Sequence, residues 1–272
     1  MQKIGFAINS FSENNPIDTI LSNTNSQFAG LWVEEPSSIN EIIKYKPENR
    51  IDDLMDNCEM LIIDCSAQQK FEIISKAIRK GVVPIVNNID GLNTATLSQL
   101  QQLANEIGVN IVFANLGYEL NKTQTALELP FIGHLKRSVR ESINTEEDLL
   151  RYLKNDIATA LKISKLDVRK TRVYGLPACS SIPINLMIMV DFSNNSVFTY
   201  TFQQNTALSN FELEVLLTDS SKNISISFSE HNDDNLSETL QSYQNNFQNI
   251  KNIELALETS RLIDSILSKI NQ

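Results

Sequence analysis

The segment that would have to cradle a phosphate runs Ile8-Asn9-Ser10-Phe11-Ser12-Glu13-Asn14-Asn15, directly after the first apolar strand, and it holds no glycine. A dinucleotide turn needs glycine there because the chain turns tightly and its backbone must approach a pyrophosphate at a helix N-terminus. Asn9 and Ser10 can make such a turn and donate hydrogen bonds, but Phe11 adds bulk and Glu13 a repelling charge. The pair Cys65-Ser66, at the end of another strand, has the atoms of a nucleophile. No histidine lies near it in sequence, so Cys65 reads as a buried structural thiol. His134 and His231 are the only histidines. Neither has a Cys, His or carboxylate neighbour at ligand spacing, and no metal site is expected. His134 beside Lys136 and Arg137 reads equally as an anion contact or as a surface strand of alternating charge. Tyr118, Glu119, Asn121 and Lys122 follow the last strand of the first half. They form the candidate ligand cleft, because ligands of open parallel sheets bind outside the carboxyl ends of the strands.

Residues of these kinds need a scaffold, and the chain is long enough to supply one. Its 272 residues are 42% hydrophobic and 21% charged, which suits one large or two modest domains. A formal charge of −10, spread along the chain, argues against a phosphate-tracking surface, so nucleic acid is not expected as a partner. Cys58, Cys65 and Cys179 lie far apart in no CxxC pair, and the N-terminus shows no signal-peptide pattern. A reduced, cytoplasmic setting is the expectation. The longest apolar runs, such as Met60 to Ile63 and Leu186 to Val190, are of strand length and fall short of the roughly 20 residues that span a bilayer. A soluble protein without repeats is expected.

The first half alternates short apolar runs with helical patterns, the grammar of a doubly wound parallel sheet. Strands are predicted at 3–8, 28–33, 59–64, 82–86 and 110–114. Helical patterns start near Pro16 and at Ile39-Ile42-Ile43, Ile51-Leu54-Met55 and Phe71-Ile74-Ile78. A longer helix is predicted over 94–107, with Leu97, Leu100, Leu103, Ala104 and Ile107 inward. Gly81 and Gly108 are the helix stops. Past Gly117 the pattern changes. Thr145 starts a helix whose stripe is Leu149, Leu153, Ile157 and Leu161. Strands then crowd together at 171–175, 184–192, 197–203, 211–217 and 224–228, with a hairpin turn at Asn194-Asn195. A helix from about residue 250 to 270 follows. The expected architecture is α/β: a Rossmann-like doubly wound domain over 1–118 and an α+β open-sheet domain over 119–272, with the terminal helix free to pack back on the first.

In element order the chain resembles the glucose-fructose oxidoreductase/inositol dehydrogenase (Gfo/Idh/MocA) family over nearly its whole length, although no single motif is intact. Cys58 to Val86 resembles the family's strand, Thr-Pro-like turn, helix and next strand, with Asp64-Cys65-Ser66 at the turn and Gly81 before the second strand. Asn87-Asn88-Ile89 falls where the family has Glu-Lys-Pro. Gly117-Tyr118-Glu119-Leu120-Asn121 falls where it commonly has Arg-Phe-Asn-Pro. Phe131 to Leu135 and Ile184 to Tyr200 resemble strands of its second domain. The diaminopimelate dehydrogenase type, with a similar two-domain order, is the runner-up.

The resemblance implies a Rossmann domain that binds NAD or NADP and a second domain that holds substrate. It adds Glu34, near the end of the second strand, as the counterpart of the acid that holds a ribose; the plainer reading of Glu34 is a solvated acid in a loop. With Asn9, Ser10 and Ser66 it makes up the candidate cofactor set. The family's lysine of Glu-Lys-Pro polarises the reacting oxygen, and Asn88 in that place can only hydrogen-bond. The family's helical aspartate and histidine correspond to Leu149 and Leu153, which read as core; Asp156 reads as an exposed structural acid. The resemblance therefore implies a noncatalytic, ligand-binding or assembly protein with degenerate sites and no bound cofactor. The alternative is an active NAD(P)-dependent dehydrogenase of a small sugar or polyol. The family also pairs subunits through its second-domain sheet, which implies a homodimer. On the strand 184–192, Asn185, Met187, Met189 and Asp191 are the face expected to meet a second copy.

Overall fold

The computed structural model describes residues 2–10, 17–24, 26–35, 43–114, 116–117, 130–164, 167–177, 182–217, 223–228 and 252–270. The chain forms two units, one of residues 1–116 with 233–257 and one of 117–232 with 258–272.

The first unit holds a five-stranded parallel sheet in the order β2-β1-β3-β4-β5. Its strands are β1 (Gln2–Ile8), β2 (Ser26–Val33), β3 (Met60–Asp64), β4 (Val83–Val86) and β5 (Val112–Phe113). Ile4 to Ile8 and Met60 to Ile63 are buried without a break, so both faces of β1 and β3 are covered, and this is why these strands read as continuous apolar runs. Ile4, Phe6, Ile8, Leu31, Met60, Ile62, Ile85 and Val112 form one core with Ile17 and Ile20 of helix α1 (Ile17–Asn23). Helix α2 (Ile51–Asn57) packs on β1 and β2 through Leu54. A Cβ on Gly5 or Gly30 would stand 2.9 or 2.8 Å from Leu54 Cδ1, so the two glycines set how closely that helix approaches.

Helix α3 (Ala67–Arg79) joins β3 to β4, and helix α4 (Thr94–Ile107) joins β4 to β5. The side chain of Asn93 accepts from Thr96 N, and Thr96 Oγ1 accepts from Asn93 N, a reciprocal capping box. Gly108 closes the helix at φ 80°, donating to Ala104 O. Two expectations for this unit need correction. Ile107, expected inward, is 48% exposed in the last turn of the helix. The strand expected over 110–114 keeps only Val112 and Phe113 in the ladder. The outer edge of that short strand meets a side chain: Phe113 N donates to Asn252 Oδ1 at 2.9 Å, and Asn252 Nδ2 donates to Phe113 O at 2.6 Å. One carboxamide thus stands in for a neighbouring strand. The repeat at Ile39 and Ile42 lies outside the described residues.

The second unit holds a mixed six-stranded sheet in the order β11-β10-β6-β9-β8-β7. Its strands are β6 (Phe131–Ser138), β7 (Val168–Leu176), β8 (Asn185–Phe192), β9 (Val197–Gln203), β10 (Asn210–Leu217) and β11 (Asn223–Phe228). Only the β6–β9 pairing is parallel. Burial alternates along β6, β8, β9 and β10, so one face is covered and the other is open. Helix α5 (Glu146–Ser164) contributes to the covered side, with Tyr152 against Phe202. Thr145 Oγ1 accepts from Asp148 N and starts the helix as expected. The Asn194-Asn195 turn forms, with Asn195 at φ 67°. Ile184, expected on the covered face of β8, precedes the strand and is 43% exposed. Helix α6 (Ile253–Ile270) ends the described chain.

Asn252→Ala leaves both polar groups of Phe113 without their partner and is expected to cost about 1–3 kcal/mol in urea unfolding. Faster amide exchange at Phe113 is the local signature, and unchanged protection there would show that the carboxamide is dispensable.

Candidate functional site

The carboxyl ends of β1, β2, β3 and β4 carry the sequence-predicted positions, and the ladder dictates their spacing. Ile8 pairs with Val33 on one side and with Asp64 on the other, so β1 lies between β2 and β3 at the point where the strand order reverses. Backbone bonds continue past the strands, from Asn9 N to Asp64 O (2.8 Å), Glu34 N to Ile8 O (2.9 Å) and Glu35 N to Asn9 O (2.8 Å).

Across this point the side chain of Glu34 reaches Ser66. Ser66 N donates to Oε2 at 2.9 Å and Ser66 Oγ donates to Oε1 at 2.6 Å. Ser66 is the N-cap residue of α3 without making the cap with its own side chain, so Glu34 supplies an anionic acceptor at that helix start. The plain reading of Glu34 as a solvated loop acid is therefore corrected: it is an engaged, part-buried carboxylate. Asn9 Oδ1 is buried without a hydrogen-bond partner among the described residues, and Ser10 is exposed. The fold brings Asn9, Glu34 and Ser66 to one edge. Phe11 and Glu13 of the turn lie outside the described residues, as do Tyr118, Glu119, Asn121 and Lys122.

Next along the same edge, Asn87 Nδ2 donates to Asp64 Oδ1 at 3.0 Å. Asn88 Oδ1 accepts from Asp90 N at 3.1 Å and from Lys70 Nζ at 2.7 Å. Lys70 is only 3% exposed. This ammonium group was not anticipated, although its signal was present: residues 70, 73, 74, 77 and 78 are the buried stripe of α3, and Lys70 holds the first place on it. Cys65, one residue before Ser66, is buried, and burial pushes its thiol up to about 11, which leaves little thiolate for nucleophilic work. Among the described residues no group of three His, Cys, Asp or Glu side chains is placed to hold a metal ion.

In the second unit Leu149 and Leu153 are fully buried on α5, as their place in the apolar stripe predicts. One turn further, Asp156 overturns the expectation of an exposed acid. It is fully buried and receives Arg137 Nε at 3.1 Å and Arg137 Nη2 at 2.6 Å. The Arg137 guanidinium lies 4.5 Å from the centre of the Phe211 ring and 5.4 Å from that of Tyr152. Burial pushes the Asp156 carboxyl upward, and Arg137 opposes that shift. His134 sits half-buried on the open face of β6, in register with Glu214 and Thr199, whereas Arg137 is buried on the covered face, so the run His134, Lys136 and Arg137 is not the surface strand of alternating charge expected.

The chain thus joins a parallel sheet with a reversal of strand order to a mixed open sheet. Comparison with solved structures assigns it to the fold of the Gfo/Idh/MocA-type dehydrogenases. A UDP-N-acetylglucosamine 3-dehydrogenase from Acidithiobacillus ferrooxidans superposes with a TM-score of 0.79 at 11% identity, covering 99% of this chain and 98% of that one. A dehydrogenase from Clostridium difficile gives 0.74 at 15% identity over 98% and 99% of the two chains. A protein of gentamicin A biosynthesis, solved in complex with NAD, gives 0.71 at 10% identity over 99% and 95%. No family model matches the sequence, and no curated protein does.

The Arg137–Asp156 pair yields a quantitative expectation. Asp156→Asn strands a buried guanidinium and should cost about 3–5 kcal/mol in chemical denaturation, while Arg137→Met with Asp156→Leu should recover much of that loss. Equal stability of Asp156→Asn and the unmodified protein would mean the pair is open to solvent.

Proposed function

We propose that this chain is a divergent Gfo/Idh/MocA-type protein that no longer transfers hydride and serves as a ligand-binding or assembly protein. The observation that supports it most directly is the state of the positions where the resemblance calls for a reacting acid or base. Asn88 carries an uncharged amide whose oxygen is already engaged by Lys70 and Asp90. Leu149 and Leu153 are core side chains with no exposure at all. None of the three can exchange a proton near neutral pH. The absence of glycine between Ile8 and Asn15 adds to this, because it deprives a dinucleotide of its usual close backbone approach.

One observation favours a second reading, an active NAD(P)-dependent dehydrogenase of a small sugar or polyol. Lys70 Nζ stands one hydrogen bond from the side chain at position 88, so a cation is present beside that position although it is rooted on a helix. Glu34 and Ser66 meet where a ribose-binding acid would be needed, which is compatible with that reading. The two readings part experimentally. Under the first, nicotinamide nucleotide fluorescence and a thermal-shift titration show no binding even at millimolar NADH or NADPH, and no common sugar or polyol is oxidised. Asn88→Lys alone is also expected to stay inactive. Turnover by the unmodified protein that vanishes in Lys70→Met would establish the second reading.

We propose further that assembly uses the open face of the second sheet. Met187 is 38% exposed there, with Met189 beside it on the same face, and charges of both signs surround them: Lys136 opposite Glu212 in register, and Arg172 paired with Asp191 at 2.8 Å. Such a face is self-complementary under a twofold axis. Light scattering should report a dimer, and Met187→Glu combined with Met189→Glu a folded monomer. A monomeric unmodified protein at tens of micromolar would refute the contact.

A further inference from the structure

The open face of the second sheet is not uniform. Near one end it sinks into a hollow of about 300 Å³ between β6, β7, β8 and β9. The register places Tyr174, Met187, Thr201 and Lys136 in one row across it, and Leu176, Asn185 and Gln203 in the next. The lining is mainly apolar. Tyr174 and Leu176 are 56% and 63% exposed, more than solvated strand residues of their kind need to be.

The polar groups of this face differ in how far they are committed. Arg172 and Asp191, along the same strands, are spent on each other. Gln204, on the covered side, gives both ends of its carboxamide to backbone partners. Lys136 has no described ion pair, and Glu212 opposite it instead accepts from Asn210 Nδ2 at 2.7 Å. The hollow therefore combines one available cation with apolar walls formed by an aromatic ring, a thioether and a leucine.

We propose that this hollow binds a small monocarboxylate with an apolar body, the carboxylate on Lys136 and the body against Tyr174, Leu176 and Met187, and that the bound acid opposes pairing of the sheet faces. One ammonium group matches one carboxylate, and the walls match an aliphatic or aromatic remainder. The effect on pairing rests on the assembly reading above, since a second copy would need to cover Tyr174 and Met187 itself. Binding does not rest on it, and the two are measured separately.

Hexanoate is the probe, hexan-1-ol the control without charge. With methyl-labelled methionine, the signal absent from Met187→Leu identifies Met187 in the spectrum. Hexanoate should move that signal to saturation, hexanol should act far more weakly, and Lys136→Gln should weaken hexanoate about tenfold, the loss of one charge-assisted hydrogen bond. Light scattering should show mass falling toward the monomer as hexanoate is added. An unmoved Met187 signal at tens of millimolar hexanoate overturns the site, as does equal response to hexanol or in Lys136→Gln. A moved signal with unchanged dimer mass overturns the opposition to pairing while leaving the site. A protein that is monomeric without ligand refutes the assembly reading, and the Met187 response then judges the site alone.

Discussion

Polar groups at the carboxyl edge of a sheet buried on both faces gain most from partners close at hand, and apart from Asn9 Oδ1 those discussed above have found them. β1 and β3 have no solvated face on which to place a polar side chain. Their polar residues collect where the strands end, and there a lone donor or acceptor costs more than a made bond returns. Glu34 with Ser66, Asp64 with Asn87, and Asn88 with Lys70 are successive solutions along one edge. Each solution removes chemical freedom from the groups it satisfies. An amide oxygen that holds a buried ammonium is no longer free to orient a substrate, and the ammonium is held in turn.

The second unit obeys the opposite rule. Its sheet is covered on one side only, so alternation in the sequence separates core from surface residue by residue. Leu186, Ile188, Val190 and Phe192 are buried, while Asn185 and Met187 face outward. On the covered side the same cost of an unmatched charge arises, among the described residues, at Arg137 and Asp156, and is met by a two-bond pair flanked by two rings. The open side has no such obligation, which is why an apolar hollow with an uncommitted lysine can persist there.

What could be read in the sequence follows from these rules. Helix α4 over 94–107 was legible to the residue from its apolar stripe and from Gly108, a local stop that needs no tertiary partner. The strands of both sheets other than β6 were legible from apolar runs and from alternation, with β7 read from 171 where it starts at Val168, and β6 was indicated only by the resemblance at Phe131 to Leu135. Charged residues inside apolar stripes were not. Asp156 lies one turn beyond Leu153, and Lys70 one turn before Ile74; a charge at such a place is buried only if a partner arrives from elsewhere, here from β6 and from the loop after β4. Local spacing marks both positions as inward-facing, but the partner that makes burial of the charge tolerable arrives from another part of the chain. Asn252 is a still clearer case, since its partner Phe113 lies 139 residues away in sequence.

The rooting of Lys70 on a helix decides what its ammonium can reach. A lysine on a strand end projects from the rigid sheet, and its ammonium can meet whatever enters the crevice. A lysine one turn inside α3 must run back along the helix to reach the same edge, and its methylene stem is buried on the way. Burial of that stem adds to the core, and the amide oxygen of Asn88 accepts from the ammonium at 2.7 Å. An active-site cation is normally held in tension between protein and substrate, whereas Lys70 has its partners already. The polar groups of the carboxyl edge are thus held by one another, Lys70 by Asn88 and Ser66 by Glu34.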